Sequence, residues 1–360
     1  MEIQEGSNMD INLFNYDLPE ELIAQEPSKV RDECRLLVVD REHKTYEDKK
    51  FYDILNYLNK GDVLVRNNTK VLPSRLFATK DITNAKVEVL LLKDLGNDTW
   101  ECLCGNAKAI KKDTILHFKD DILIGKCIEV LDEGIRHIKF SYKGIFLEEL
   151  DKIGLMPLPP YIHKQIEDND EYQTVYAKVE GSAAAPTAGF HFTEELLEKL
   201  KEKGVEILDI TLNIGLGTFR PVKVQDTNNH IMHSETYIIH DEVANKLNLA
   251  KKEGRRIIAI GTTCVRTLES NFNKFNSFKG ESSETSIFIS PGYQYRAIDC
   301  LITNFHLPKS TLVMLVSAFM GRKFTLDVYK HAVIEKYRFF SFGDAMFIYG
   351  KYDYSKNIED

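Results

Sequence analysis

The sequence predicts an α/β main domain with an inserted all-β barrel, that is, a two-domain α+β protein. Strands alternate with helices near both ends of the chain, and a run of short strands without helices lies between them. The length of 360 residues is enough for two domains. The predicted α/β domain comprises residues 10–76 and 156–350, the barrel residues 77–155, and the loose termini residues 1–9 and 351–360.

The barrel prediction depends on alternation of apolar and polar residues between Lys86 and Ser141. The segments are KVEVLLLK, TWECLC, TILHF, KCIEVL and RHIKFS, and turn residues separate them. Five or six strands at hairpin spacing, with no helix between them, are typical of a small closed barrel.

The flanking segments carry the signals of alternating strands and helices. YDLPEELIAQEP predicts a short helix with Asp17 as its N-cap, and RLLVV and DVLVR predict strands. After the barrel, TEELLEKLKEKG predicts a helix that begins after Thr193 and ends at Gly204, and DEVANKLNLAKKEG a helix that ends at Gly254. RRIIAIG is a buried strand leading into the helix of CVRTLES.

Composition and charge exclude several classes of protein. A net charge of −8 argues against a protein that coats DNA nonspecifically, although a local basic patch can still grip a folded RNA. Six cysteines without zinc spacing predict no metal site. The N-terminal stretch lacks the features of a secretory signal, and no apolar run approaches the ~18 residues of a membrane span, which predicts a cytoplasmic protein without a membrane partner.

Two basic stretches are candidate RNA contacts, with ordinary solvated lysines as the alternative. They are VRNNTKVLPSR, with Arg66, Lys70 and Arg75, and NAKAIKK, with Lys108, Lys111 and Lys112.

The segment IIAIGTTCVRTLE predicts a ligand site at the end of a strand. Backbone N–H groups and the hydroxyls of Thr262 and Thr263 would face whatever lies over the carboxyl end of the strand. Arg266, one turn into the helix, would reach a carboxylate or phosphate. A merely capped helix is the alternative.

The segment LNIGLGTFRPV has a G-x-G but is no dinucleotide fingerprint. The third glycine is missing, and Pro221 prevents a helix from following at once. Gly215 and Gly217 instead allow backbone to approach a ligand, with Phe219 as a stacking face and Arg220 as a charge.

The segment NHIMHSETY combines two histidines with a carboxylate. His230 and His233 lie three residues apart and Glu235 follows, but no third zinc ligand is evident. General acid–base chemistry by His233 or Glu235 is one interpretation, and a plain surface strand is the other.

Two further histidines each lie between apolar neighbours just before a helix. His191 occurs in EGSAAAPTAGFHFT and His306 in LITNFHLPKS, where Asn304 shares the turn. One such histidine is usually a core residue, whereas two in equivalent positions favour a common pocket. Around His191, small residues such as Gly181 and Ser182 leave room for a bulky ligand. Phe190 and Phe192 flank the imidazole as a wall for a flat aromatic ring.

Seven segments, taken together and in their order along the chain, resemble the S-adenosylmethionine:tRNA ribosyltransferase-isomerases of queuosine biosynthesis. They are NNTKVLPSRL, YAKVEGSAAAPTAGFHFT, LNIGLGTFRPV, MHSETY, GTTCVRTLES, LITNFHLPKSTLVMLVSAF and YRFFSFGDAM, within a match from about Asp10 to Ile348. One departure is Asp113, in a barrel turn where relatives often have glycine.

The resemblance implies the fold predicted above and a reaction. The ribosyl part of S-adenosylmethionine moves onto 7-aminomethyl-7-deazaguanine at the tRNA wobble position and is isomerised, giving epoxyqueuosine and releasing adenine and methionine. S-adenosylmethionine is then a consumed co-substrate, no cofactor or metal is expected, and the partner of a monomeric protein is tRNA with its wobble base outside the loop stack.

The implied reaction needs a base, a proton donor for adenine, a carboxylate clamp and a wall for the purine, and we assign these roles as hypotheses. Proton transfer is assigned to His191 or His306, with Glu235 and His233 as second choices. The methionine carboxylate is assigned to Arg266 with Thr262 and Thr263, and stacking on the purine to Phe190, Phe192 and Phe219.

Two other functions compete with this one. A S-adenosylmethionine-dependent methyltransferase would need a glycine-rich loop leading into a helix, which GLGTFRP cannot provide. A noncatalytic RNA-binding module fits the barrel and the basic stretches, but such a module has no need of the histidine-bearing turns.

Overall fold

The structure, a computed structural model, describes residues 9–164, 166, 168–215, 232 and 234–354. The described residues form two compact units. The sheet unit contains the chain up to Thr69, Pro160–Val179 and the chain from Pro186 onward, and the barrel unit contains Lys70–Pro159 and Glu180–Ala185. The predicted fold class, an α/β domain with an inserted barrel, is confirmed.

The described strands and helices follow in chain order. The strands are β1 (Arg35–Asp40), β2 (Thr45–Lys50), β3 (Val63–Asn67), β4 (Thr69–Val71), β5 (Arg75–Lys80), β6 (Lys86–Gly96), β7 (Thr99–Cys104), β8 (Ile115–Phe118), β9 (Leu123–Val130), β10 (Ile135–Tyr142), β11 (Val179–Ser182), β12 (Glu206–Leu212), β13 (Glu235–Ile239), β14 (Ile257–Ile260), β15 (Glu281–Thr285), β16 (Cys300–Asn304) and β17 (Ala345–Tyr349). The helices are α1 (Phe146–Ile153), α2 (Glu194–Glu202), α3 (Asp241–Glu253), α4 (Gly261–Phe275), α5 (Thr311–Met320) and α6 (Arg322–Ile334). None of the described helices combines the length and apolarity that crossing a bilayer requires.

The sheet unit is built on a nine-stranded sheet in the order β15-β13-β12-β3-β14-β16-β17-β1-β2. Its centre is parallel, because β12, β3, β14 and β16 run in one direction. The sequence explains why β14 is central: all four residues of IIAI are buried, and such continuous apolar runs are typical of parallel strands covered on both faces.

Helices cover this sheet through apolar faces that the sequence pattern predicted. Helix α2 buries Leu196, Leu197 and Leu200 in one cluster with β1 and β14. The Thr193 hydroxyl accepts a hydrogen bond from the Leu196 backbone N–H at 3.1 Å, which confirms the predicted cap. Helix α3 ends at Gly254, whose φ of 68° is the left-handed conformation that glycine adopts without strain.

The barrel unit closes through six strands in the order β10-β7-β6-β5-β8-β9. In β7, Trp100, Cys102 and Cys104 point inward while Glu101 lies between them, as the alternation predicted. The interior of the barrel is tightly packed at Gly125. A Cβ at this position would lie 2.8 Å from Ile138 Cγ2, so only glycine fits there. Helix α1 covers the barrel by stacking Phe146 on Trp100, with ring centroids 5.5 Å apart.

The departure at Asp113 has a simple backbone explanation. Asp113 has φ of 68°, a left-handed conformation in which glycine carries no steric penalty and aspartate a tolerable one. Its carboxylate lies 2.9 Å from Lys126 Nζ, on the surface of the barrel. The turn therefore forms with either residue.

The predicted helix in YDLPEELIAQEP is wrong. Only Glu20–Leu22 forms a short 3-10 turn, and Pro19 rather than Asp17 precedes it. The reason is tertiary pairing: the Phe339 N–H donates to Leu22 O at 2.8 Å, and the Ala24 N–H donates to Phe339 O at 3.1 Å. The backbone groups that a helix would use are bonded to a distant extended segment.

Candidate active site

The candidate site lies at the carboxyl edge of the central parallel strands. Val65 of β3 pairs with Ala259 of β14, and Ile260 of β14 pairs with Ile302 of β16, so the three strands end side by side. Asn67, Gly261 and Asn304 stand at these ends. Ligands of open α/β sheets bind at such an edge, where backbone groups and loops are accessible.

The turn that carries His191 packs against this edge. Residues Thr187–His191 form a 3-10 turn beside the start of α4. Gly261 has φ of 82°, and a Cβ at that position would lie 3.3 Å from Ala188 Cβ. Glycine is thus required both by the backbone conformation and by the close approach of the turn.

His191 is 4% exposed and both of its ring nitrogens are occupied. Nδ1 lies 3.1 Å from Cys34 Sγ, and Nε2 lies 3.2 Å from Asn304 Oδ1. The Asn304 amide donates to Phe340 O at 2.8 Å, so its Oδ1 faces the imidazole and can only accept. Nε2 therefore carries the hydrogen, and Nδ1 accepts from the thiol.

Burial sets the charge state of this group of side chains. Desolvation lowers the pKa of His191 to about 4, and the hydrogen bond that its Nε2–H donates to Asn304 opposes this only in part. Desolvation likewise raises the pKa of the Cys34 thiol. At neutral pH the pair is a neutral imidazole and a neutral thiol, not an ion pair.

His306 lies in the loop after β16, also buried but with one ring nitrogen open. Nε2 lies 2.9 Å from Thr303 Oγ1, and the structure records no hydrogen bond from Nδ1 to any described residue. The Tyr16 hydroxyl donates to the His306 carbonyl, which fixes the backbone. Desolvation lowers the pKa of His306 to about 3, so the ring is neutral at physiological pH.

The backbone of Phe340 is strained, and it is hydrogen-bonded to the segment that carries Asn304. Phe340 has φ of 74°, which is unusual for a bulky side chain. Its N–H donates to Phe305 O at 3.1 Å, and its carbonyl accepts from Asn304. Such outliers persist where surrounding structure dictates them, and they cluster at functional sites.

A buried ion pair lies at the neighbouring strand ends. Arg266 of α4 donates through Nη1 to Glu235 Oε2 at the start of β13. Glu235 Oε1 accepts from the Gly215 N–H at 3.2 Å. Among the described residues nothing accepts a hydrogen bond from Arg266 Nε or Nη2, and the hydroxyls of Thr263 and Thr267 also lack partners there.

Comparison with known proteins decides the family. The family model described as "Queuosine biosynthesis protein" matches residues 11–348. The chain belongs to this queuosine biosynthesis family. It is 56% identical over 340 residues to the S-adenosylmethionine:tRNA ribosyltransferase-isomerase of Staphylococcus haemolyticus, across 94% of this chain and 100% of the relative.

A solved structure is also similar to this chain. The crystal structure of S-adenosylmethionine tRNA ribosyltransferase from Thermotoga maritima matches with a TM-score of 0.55 and 36% sequence identity. The match covers 93% of this chain and 99% of that chain.

The predicted aromatic wall is already packed against protein in this family member. Phe192 is fully buried and meets Phe51 edge-on, with ring centroids 4.9 Å apart. Phe190 stacks on Phe342 at 6.0 Å and contacts Tyr172 edge-on. Both rings hold the His191 turn in place, and stacking on a purine stays a prediction.

The remaining predicted residues are dispersed. Gly181 and Ser182 belong to the barrel unit, where the Ser182 hydroxyl donates to Ala184 O at 2.6 Å. Thr262 is half-buried at the start of α4. Several others lie outside the described residues, namely Gly217, Phe219, Arg220, His230 and His233. Within the described part of the chain, no group of three or more His, Cys, Asp or Glu side chains is placed to hold a metal ion.

The basic residues fall into two groups. Each member of the first is paired with a carboxylate: Arg66 Nε lies 2.5 Å from Asp209, Lys70 Nζ 3.2 Å from Glu180, and Arg75 Nε 2.8 Å from Glu88. The second group, Lys108, Lys111 and Lys112, is exposed, and none of the three forms an ion pair with a described residue.

Sequence reasoning missed Cys34 at the candidate site and Glu269, a buried carboxylate farther along α4. Cys34 contacts His191 across 157 positions of sequence, and no local pattern reports such a contact. Glu269 is fully buried in α4 and accepts four hydrogen bonds. A signal for Glu269 existed, since it falls four residues after the buried Val265 on the covered face of a helix.

Proposed function

We propose that the chain transfers the ribosyl moiety of S-adenosylmethionine to 7-aminomethyl-7-deazaguanine at the tRNA wobble position and isomerises it to epoxyqueuosine, releasing adenine and methionine. The observation that carries the proposal is 56% identity to a S-adenosylmethionine:tRNA ribosyltransferase-isomerase across its whole length. The protein acts in the cytoplasm as a monomer, and S-adenosylmethionine is consumed as co-substrate without a resident cofactor.

The chemistry requires a base near the sulfonium. The positive sulfur acidifies the hydrogens on C5′, and removal of one gives an ylide that expels adenine. The amine of the modified base then attacks the ribose, and departure of methionine closes the epoxide. The chain must therefore supply a neutral proton acceptor, a proton for adenine and a clamp for the amino-acid end.

His306 fits the proton acceptor better than His191. Both ring nitrogens of His191 are bound, by Cys34 and Asn304, so the ring has no lone pair left for a substrate. His306 is held through Nε2 and keeps Nδ1 available. Burial keeps the ring neutral, and in the tautomer whose Nε2–H donates to Thr303 Oγ1 the lone pair of Nδ1 can accept the proton. His191 then positions Asn304 and the turn.

Product analysis tests this function. S-adenosylmethionine labelled in the ribose is incubated with tRNA that carries the modified wobble base, and we expect equal amounts of free adenine and methionine, with the ribose label in the tRNA. S-adenosylhomocysteine as the product would identify a methyltransferase, and unreacted S-adenosylmethionine a noncatalytic RNA-binding protein. His306→Ala is expected to slow adenine release by about 10²–10⁴-fold. His43→Ala, at an exposed histidine of the β1–β2 turn, is the control.

The lysines of the barrel unit are expected to bind tRNA phosphates. Arg136 holds their turn by donating to Ile110 O at 2.9 Å and Ala107 O at 2.6 Å, so the charges are presented on rigid backbone. Changing Lys108, Lys111 and Lys112 to glutamine should reduce the slope of log Kd against log salt by up to about 3, because each phosphate contact releases a counterion.

The matched control removes the same number of charges elsewhere. Lys199, Lys201 and Lys252 lie on α2 and α3 of the sheet unit and are changed to glutamine together. Filter binding or fluorescence anisotropy at several salt concentrations measures both triple variants. An equal salt slope for the two variants would rule out the barrel lysines as the phosphate contacts.

A further inference from the structure

Arg266 is a buried cation, and one edge of its guanidinium group has no hydrogen-bond acceptor among the described residues. The residue is 6% exposed, and its Nη1 is taken by Glu235. Among the described residues, Nε and Nη2 have no acceptor. Buried donors of a charged group are nearly always bonded, so this open pair of donors is a candidate position for a ligand.

The geometry of the open face defines the ligand. Nε–H and Nη2–H project from one edge of the planar guanidinium, as a fork that two oxygens of one carboxylate match. The hydroxyls of Thr263 and Thr267, one helical turn apart on α4, lack partners among the described residues as well. This edge of the sheet therefore offers a set of donors suited to a carboxylate.

Glu235 holds Arg266 in this orientation. Its two carboxylate oxygens are both engaged, Oε2 by Arg266 Nη1 and Oε1 by the Gly215 N–H. The sequence made Glu235 a second choice for proton transfer, but a carboxylate bonded at both oxygens is suited to fixing a guanidinium. Because Nη1 is occupied, Arg266 can present only its Nε–Nη2 edge.

We infer that Glu235 is a positioning residue and that the Glu235–Arg266 pair is the specificity element for the carboxylate of the sulfonium substrate. The identity of that substrate rests on the proposed function. The pair distinguishes S-adenosylmethionine from its decarboxylated form, which keeps the sulfonium, the ribose, the adenine and the ammonium. Loss of the carboxylate leaves the buried fork unpaired again, and sites of this kind reject ligands that lack the expected partner.

The test compares kcat/KM for adenine release from the two donors, with tRNA carrying the modified base. The wild-type protein is expected to prefer S-adenosylmethionine by at least ~100-fold. In Arg266→Lys the charge remains but the fork is lost, and the preference should fall below ~10-fold. The ratio within one variant does not depend on how much of that variant is folded.

Glu235→Gln tests positioning. We expect KM for S-adenosylmethionine to rise ~3–10-fold, while KM for the decarboxylated donor and both kcat values stay within ~2-fold. A merely structural role would change both donors equally. Glu206→Gln is the control, because Glu206 makes an ion pair of the same type with Arg255, 2.9 Å from its Nη1, at the opposite end of β12. It should keep the wild-type ratio.

The outcomes separate the two claims. If the wild-type protein releases adenine equally well from both donors, or if Arg266→Lys keeps the full preference, the carboxylate subsite is overturned and the proposed function stands. If Glu235→Gln raises KM equally for both donors, Glu235 is not a positioning residue for the carboxylate. If no adenine is released from either donor, both the inference and the proposed function are overturned.

Discussion

Replacing Glu269 by alanine is expected to lower the free energy of unfolding of the sheet unit by about 4 kcal/mol. The carboxylate accepts hydrogen bonds from the Tyr293 hydroxyl at 2.9 Å and from the Arg296, Ala297 and Ile298 backbone N–H groups at 3.1, 2.9 and 3.3 Å. Alanine leaves all four donors buried without an acceptor. Urea unfolding followed by far-UV circular dichroism measures the loss.

Two further variants test whether the loss of unfolding free energy comes from the buried carboxylate. Glu269→Gln keeps one oxygen and replaces the other by a donor, so about half of the loss is expected. Glu253→Ala, at the exposed end of α3, should change the free energy by less than ~0.5 kcal/mol. A loss below ~1 kcal/mol for Glu269→Ala would contradict the view that this side chain anchors the segment before β16 to α4.

Acidification from pH 7 to pH 5 is expected to cost the sheet unit about 4 kcal/mol through its two buried histidines. Burial lowers their pKa values from the ordinary 6.5 to about 4 for His191 and about 3 for His306. Between those values and 6.5 the unfolded chain binds protons that the folded chain excludes. The free energy of unfolding is therefore highest above pH 6.5. It declines as the pH falls, down to about 4 for the contribution of His191 and about 3 for that of His306.

The difference in acid-induced stability loss between the wild type and His306→Gln separates the contribution of this histidine from that of titrating carboxylates. Glutamine places an amide near the position of Nε2 but does not titrate, so about 2 kcal/mol of the acid loss should disappear. Circular dichroism follows the helices, of which α2 to α6 lie in the sheet unit, whereas fluorescence of the single tryptophan, Trp100, follows the barrel core. Equal pH dependence for wild type and variant would show that His306 is not kept neutral by burial.

Local patterns predicted the fold well where the decisive interactions are local. The barrel strands alternate in burial because neighbouring residues of a strand face opposite sides, a rule the sequence displays directly. The cap at Thr193 satisfies a backbone donor three residues away. The failed helix near Glu20 shows the limit, because its backbone is bonded to Phe339, more than 300 positions distant.

The grouping of the candidate residues at one edge of the sheet was predictable, whereas their hydrogen bonding was not. His191, Asn304 and His306 each precede a helix or follow a strand, so the topology brings them to one edge of the sheet. Their hydrogen bonding depends on Cys34, Thr303 and Tyr16, which no spacing rule connects to them. For this reason the sequence favoured neither histidine. The structure distinguishes them, because both ring nitrogens of His191 are hydrogen-bonded and only Nε2 of His306 is.

A crystal structure with S-adenosylhomocysteine, an unreactive thioether analogue of S-adenosylmethionine, would show directly whether the substrate binds at this edge of the sheet. We expect the ligand to lie at the carboxyl edge of β14 and β16, with its carboxylate oxygens about 3 Å from Arg266 Nε and Nη2. A ligand whose amino-acid end lies away from Arg266, and which touches neither the His191 turn nor the His306 loop, would contradict it.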